Sequence, residues 1–166
     1  DQLCRDLGVT PEDLPYAGEL LDVADEHAQW RGAAERVLRG FALSLLVPQR
    51  HYDAVTSWVD GRRLTVRGRG GRETGARLTY ERVPDRQLPV RSTTPGLLLA
   101  DCLETKDGPF QGYLEVELAK RADHRCASTL AEFRAERRAV TVAGQVRSGE
   151  RHDKDDRHRV DDARRW

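Results

Sequence analysis

The chain has 166 residues, of which 38% are hydrophobic and 34% charged, and its formal net charge is zero. That length allows one compact domain with a core, or two small subdomains sharing one, and the balanced charge excludes a whole-molecule pull toward nucleic acid or a membrane surface. No apolar run approaches the roughly 20 residues that span a bilayer, and no signal peptide is visible. Basic residues are nearly all arginine, with lysine only at Lys106, Lys120 and Lys154. Cys4, Cys102 and Cys126 show no CxxC spacing, which argues against a disulfide framework or a zinc site and fits a reducing cytoplasm. The sequence lacks methionine and runs from Asp1 to Trp166 within a charged stretch, so it reads as an internal piece of a longer protein.

In chain order, residues 1–8 read as the end of a helix closed by Gly8, and Thr10-Pro11 as the start of a short turn. Residues 18–23 (GELLDV) suit a buried strand. Trp30, Ala33, Ala34, Val37 and Leu38 recur at helical spacing, with Gly40 placed for a left-handed cap. FALSLLV (41–47) reads as a buried strand stopped by Pro48. A second helix follows, with Tyr52, Val55, Trp58 and Val59 on one side, and then a Gly/Arg-rich loop from Gly61 to about Ala76. RLTYERV (77–83) alternates as a strand, with Leu78, Tyr80 and Arg82 at the inward positions.

Residues 84–96 carry Pro84, Pro89, Pro95 and Gly96 and read as a linker. LLLADCLE (97–104) contains a strand. The next helix, PFQGYLEVELAKRA, places Tyr113, Leu114 and Leu118 inward. HRCAS is a short strand, and Ser128 is placed to cap a helix that buries Leu130 and Phe133. AVTVAGQV forms a strand, or a strand pair turning near Gly144. The tail, 148–166, has Val160 as its only aliphatic residue beyond alanine and cannot form a core.

The fold class is therefore α/β. Two related small subdomains, each strand-helix-strand-helix-strand, are expected over 18–83 and 97–147, joined by the 84–96 linker. Residues 1–17 form the lead-in and 148–166 the lead-out. Alternation of this kind implies mostly parallel pairing with crossover helices. Units of about 50 to 65 residues are marginal alone, so the halves are expected to pack on each other or on a second copy.

This order of segments resembles the hinge of SMC proteins, on GELLDV (18–23), AAERVLRGFALSLLV (33–47), the helix over 52–59, EFRAERRAVTVAG (132–144) and QVRSG (145–149). Within that family the phrases AERVLRGFALSLLVPQRHY (34–52), RLTYERV (77–83), LEVELAKR (114–121) and 138–166 look like the SMC-like subunit of Wadjet-type systems, the JetC/MksB branch. The resemblance implies an SMC-hinge-like homodimerisation module at the end of a coiled coil, with the arm running through 1–17 and 148–166. It implies a cytoplasmic, nucleoid- or plasmid-associated parent ATPase with kleisin-like and accessory subunits, acting in plasmid restriction or chromosome organisation. No catalysis is expected of this segment, no cofactor is implied, and no GxxxxGK[ST] phosphate loop is present.

Sheet edges near 77–83 and 139–147 are the expected dimer contacts, because small sheets leave unpaired edges that a twin strand satisfies. The candidate interface residues are Tyr80, Val83, Val140, Val142, Gly144, Val146 and Gly149; the two glycines also read as ordinary turn residues. Arg62, Arg63, Arg67, Arg69 and Arg72, with Arg147, are the candidate DNA contacts. They would give salt-sensitive, sequence-blind affinity, and the alternative is a disordered surface insertion. His152, Asp153, Asp155, Asp156, His158, Asp161 and Asp162 are suitable metal ligands and would serve a metal-dependent nucleic-acid enzyme. Their alternation with bases reads more simply as a solvated, salt-bridged face. His124 and Cys126 share one face of a strand, either as a reactive pair or as core packing.

Overall fold

The computed structural model describes residues 2–157. In chain order they form α1 (Gln2–Leu7), β1 (Leu21–Val23), α2 (Arg31–Ala42), β2 (Leu45–Pro48), α3 (Gln49–Asp60), β3 (Thr65–Arg67), β4 (Glu73–Gly75) and β5 (Tyr80–Val83). These are followed by β6 (Leu103–Thr105), α4 (Gln111–Arg121), β7 (Arg125–Cys126), α5 (Leu130–Ala135), β8 (Arg138–Val140), β9 (Gln145–Ser148) and β10 (Arg151–Lys154). Short 3-10 segments occupy Ala17–Leu20, Asp25–Trp30 and Leu99–Cys102.

The chain divides into two units, and the division is discontinuous in sequence. One holds the described residues of Asp1–Ala17 with Leu43–Arg86, the other Gly18–Ala42 with the described residues of Gln87–Trp166. The contiguous blocks expected over 18–83 and 97–147 are not what forms. The reason is long-range pairing: β1 lies antiparallel to β6, with Leu21 opposite Thr105 and Val23 opposite Leu103. The segment carrying β1 and α2 therefore belongs with the second half of the chain.

In the first unit, β2 and β5 pair in parallel from Leu45–Tyr80 to Pro48–Val83, with α3 and the β3–β4 hairpin in the connection. Leu3, Cys4, Leu14, Leu45, Val47 and Val55 form the core, and Tyr52, Trp58, Leu78 and Tyr80 pack against it. α1 has only six residues, too few to be stable by itself. It holds because Leu3 and Cys4 are buried and because its end is a Schellman turn. Gly8 is left-handed (φ 67°); its N–H donates to Arg5 O and that of Val9 donates to Cys4 O, which satisfies carbonyls the helix leaves open. On the far side of β2, Leu46 N–H donates to Pro15 O and Tyr16 bridges Leu45. The expected strand over 41–47 begins later, at Leu45, because α2 continues through Ala42 to bury Phe41 and Ala42. Gly40 thus lies inside the helix rather than at its cap. The Gly61–Ala76 loop contains the β3–β4 hairpin, and the 77–83 strand is confined to Tyr80–Val83. Arg82 is exposed and sits over the Tyr52 ring, 5.0 Å from its centroid.

In the second unit a four-stranded sheet has the order β10-β9-β8-β7. β7 and β8 are parallel across α5, while β8–β9 and β9–β10 are antiparallel hairpins. Mostly parallel pairing is therefore not what is found. α2 packs on β1 and β9 with Trp30, Ala33, Ala34, Leu38 and Phe41 buried, and the Phe41 and Tyr113 rings lie 6.4 Å apart. Thr129, not Ser128, caps α5: its Oγ1 accepts from Glu132 N–H while the Glu132 carboxylate accepts from Ser128 N–H. This exchange satisfies two otherwise open donors. Leu130, expected to be buried, is exposed, while Phe133 is buried.

Candidate dimerisation edges

A sheet offers a pairing surface only where its last strand has no neighbour. In the β2–β5 sheet of the first unit the outer strand among the described residues is β5, since β2 is flanked by β5 and by residues 15–16. Val83 is buried and Tyr80 half-buried, so the core fixes which face of β5 points inward.

In the second unit the flank of β7 is covered: Cys126 N–H donates to Leu97 O, Leu99 N–H donates to His124 O, and Leu98 bridges Arg125. Among the described residues the outer strand at the other end of that four-stranded sheet is β10, whose Arg151, His152, Asp153 and Lys154 are all exposed. Two glycine turns build it. At the first, Gly144 (φ 90°) donates its N–H to Thr141 O, making the strand pair anticipated there. At the second, Ser148 pairs with Arg151 across Gly149 and Glu150. Gly149 has φ 63° and among the described residues no non-glycine residue has positive φ, as a II′ hairpin requires. A two-residue loop makes Ser148–Arg151 a hydrogen-bonded pair, and the antiparallel alternation then turns the N–H and C=O of His152 and Lys154 outward.

The tail was expected to be a charged lead-out to the coiled-coil arm, yet its first part is this strand. Polar ties replace a core: Arg36 Nε and Nη2 donate to Asp155 O at 3.2 and 2.9 Å while Nη1 donates to Gly32 O at 3.0 Å. The His152 ring meets Phe133 edge-on at 6.0 Å. The Gly149 turn was the one available signal, since β10 has no apolar alternation.

The expected interface residues separate on this geometry. Tyr80 and Val83 lie on the edge strand β5. Val140 is completely buried on β8, which has neighbours on both sides, so it supports the sheet and offers no edge. Val146 lies on the interior strand β9 and is half-buried, Val142 is exposed at the first turn, and Gly144 and Gly149 form the two turns.

The arginines also separate. Arg67 lies on β3 and Arg69 and Arg72 in its connection to β4, all exposed, and Arg67 stands opposite Glu73. β3 and β4 form a hairpin turned by Gly70 and Gly71, with φ of 87° and 76°. Arg63 is exposed beside it. Arg62 is otherwise engaged: it donates to Asp6 at 3.1 Å and to Trp58 O, and stacks over the Trp58 ring at 3.8 Å. Hydrogen bonds from Trp58, then Gln2, hold the Asp6 carboxyl below its usual range. Arg147 is likewise occupied, donating to Gly149 O at 2.8 Å and to Arg134 O at 2.6 Å, where it closes the end of α5.

Among the described residues no three His, Cys, Asp or Glu side chains gather as a metal site. Asp155 is paired with Arg157 and Asp156 with Lys154; His158, Asp161 and Asp162 lie outside the described residues. The Asp155 carboxyl is held far below its usual range by its bonds to Arg157. His124 and Cys126 are not brought together as a reactive pair. Cys126 Sγ faces Cys102 Sγ at 3.8 Å; that bond and burial push its thiol far up. His124 Nε2 lies 3.5 Å from Ser148 Oγ. No helix among the described residues is long and apolar enough to cross a membrane.

No family model matches the sequence, and no curated protein matches it. Solved structures do. The hinge domain of Pyrococcus furiosus Smc with an extended coiled coil superposes with a TM-score of 0.63 at 20% identity, over 90% of this chain and 52% of that one. The fold is that of an SMC hinge. An asymmetric dimer of the Geobacillus stearothermophilus SMC hinge domain gives 0.56 at 17% identity, covering 87% and 57%. The folded elbow of cohesin gives 0.60 at 16% identity, covering 96% and 22%. The chain spans about half of the two hinge chains and about a fifth of the cohesin chain. At these identities the likeness is one of hinge fold alone.

Proposed function

We propose that this hinge-fold chain is a homodimerisation module, without catalysis of its own, that joins two copies of a longer SMC-like DNA-handling ATPase. The observation that carries this reading is that each unit ends a sheet on an edge strand, β5 in one and β10 in the other. Pairing with a twin supplies main-chain hydrogen bonds to such edges, and a two-fold contact closes without polymerising. A stable interface of this kind buries about 1,200–2,000 Å². Tyr80 and Val83 would act along β5, and Val142, Gly144, Val146 and Gly149 around the turns that build β10. Light scattering should give twice 18.8 kDa. His152→Pro, which deletes an outward N–H, should shift the mass toward one chain without loss of helical circular dichroism. A wild-type chain that stays folded and single at high concentration would overturn the reading.

The phrases over 34–52 and 138–166 support a narrower placement in the JetC/MksB branch, in a cytoplasmic plasmid-defence complex with kleisin-like and accessory subunits. Co-purification of the full-length parent with such a subunit, together with a plasmid-retention assay, tests it.

A second role is favoured by the hairpin that carries exposed Arg67, Arg69 and Arg72 beside Arg63: a sequence-blind contact to DNA phosphates. Arg67→Ala with Arg69→Ala should weaken DNA binding and reduce the slope of log affinity against log salt by about 2. Unchanged binding in that variant would remove the role.

A further inference from the structure

The second unit brings two thiols into contact. Cys102 and Cys126 lie 24 residues apart in the sequence, yet their Sγ atoms stand 3.8 Å from each other. Main-chain pairing places them there. Residues 97–102 run along β7 as a cover: Leu99 N–H donates to His124 O, Ala100 N–H to Ala122 O and Cys126 N–H to Leu97 O, each at 2.8 Å. The end of the cover is anchored as well, because Ala24 N–H donates to Cys102 O at 2.8 Å. The contact is therefore set by the backbones of two segments and not by the rotamer of one side chain. Cys4, the third cysteine, lies in the core of the first unit.

A disulfide holds its sulfurs about 2.05 Å apart, so this pair must close by about 1.8 Å, which rotation about the two Cα–Cβ bonds can supply. Little hydrogen bonding is lost in doing so. The Cys102 thiol has the Cys126 sulfur and Leu98 O, at 3.7 Å, as partners, and a thiol is a weak donor to either. Cys102 is fully buried and Cys126 is 6% exposed. In the closed pair the bond to Cys102, then burial, makes Cys126 hold its proton. The pair is thus inert while closed and reacts in the locally opened state, when residues 97–102 lift from β7.

We infer that Cys102 and Cys126 form a reversible disulfide when the protein meets a hydroperoxide, and that this bond locks residues 97–102 onto β7. The hydroperoxide takes two electrons from the sulfurs. Its terminal oxygen passes to one thiolate, giving a sulfenic acid and an alcohol, or water where the oxidant is hydrogen peroxide. The other thiolate attacks that sulfur, the S–S bond forms and the sulfenic oxygen leaves as water; the two thiol protons end in the alcohol and the water. A dithiol reductant reverses the step by exchange. With the cover locked, the flank of β7 stays closed and cannot become a further pairing edge. The bond forms within one chain and does not depend on dimerisation.

Treatment of the whole reduced chain with hydrogen peroxide, followed by maleimide labelling in denaturant and peptide mass analysis, tests it. The oxidised chain should take up one maleimide, on Cys4, where the reduced chain takes up three, and should yield one peptide linking Cys102 to Cys126. Its melting temperature should rise by about 5–15 °C, the scale of closing a loop of this length in a chain of this size, and dithiothreitol should return it. Cys126→Ala should lose both the link and the rise, while Cys4→Ser keeps both. Light scattering of the oxidised chain separates this from dimerisation, since a linked chain of single mass leaves the inference standing. A folded chain that gives sulfenic or sulfinic acid without the linked peptide would overturn it. So would a link through Cys4 or between chains in its place, or a link that lowers the melting temperature.

Discussion

The two units finish their sheets by different means. β5 is set by burial: Val83 and Tyr80 turn toward a core of Leu45, Val47 and Val55, and slipping the register by one residue would send them to solvent. β10 buries nothing. A glycine turn, the Arg36 clamp on Asp155 O and an edge contact from His152 hold it. The difference teaches that a strand can be specified by hydrophobic pattern or by polar ties, and that the two kinds should fail under different insults.

The sharpest break of the comparison is in the first unit. Leu45→Ala removes a side chain 1% exposed and should cost about 2–5 kcal/mol. In urea the hydrogen-exchange protection of β5 should collapse with it, and a loss below 1 kcal/mol would show that burial does not hold this strand.

Acid should act on the second unit. His124 is pushed down to about 4 in the folded chain, against about 6.5 unfolded. The stability it contributes is full above pH 6.5 and is lost as the pH falls toward 4, because the unfolded chain takes up the proton first. The loss is about 3 kcal/mol by linkage. The carboxyls of Asp6, Asp13 and Asp155 are held below their usual range and act only at lower pH. Thermal melts between pH 7 and 4.5 should therefore fall in the wild type and fall less in His124→Gln; equal slopes would remove His124 as the cause.

Arg36→Met keeps much of the stem but deletes the bonds to Asp155 O. A loss of about 1.5–3 kcal/mol is expected for hydrogen bonds from a charged group, with exchange quickening at 151–154 before it does at β5. If both edges loosened together, the clamp would not be specific to β10. The smallest effect belongs to Gly149→Ala, where a Cβ at φ 63° should cost about 1–2 kcal/mol. The same readout at 151–154 checks it, and unchanged protection there would show that the turn does not set the strand.

Much of the fold was legible because burial leaves a local period. The helical face of Tyr52, Val55, Trp58 and Val59, the α2 face ending in Leu38, the apolar Leu45–Val47 run and the Gly144 turn all read correctly from spacing. The candidate site was less legible. Tyr80 and Val83 fell on an edge, whereas Val140 fell on an interior strand, and Arg62 and Arg147 proved to be bound to neighbouring backbone and side chains. Periodicity reports that a residue faces inward, not which strand lies beside it.

By itself the sequence determined which segments become helix or strand wherever apolar spacing or a glycine dictates local geometry, and the order that matches a hinge. Tertiary structure alone decided that β1 joins β6 across the chain and that α2 belongs with the second half. Those outcomes depend on hydrogen bonds and charges contributed by residues remote in sequence, and nothing in a local pattern of side chains encodes a partner that far away.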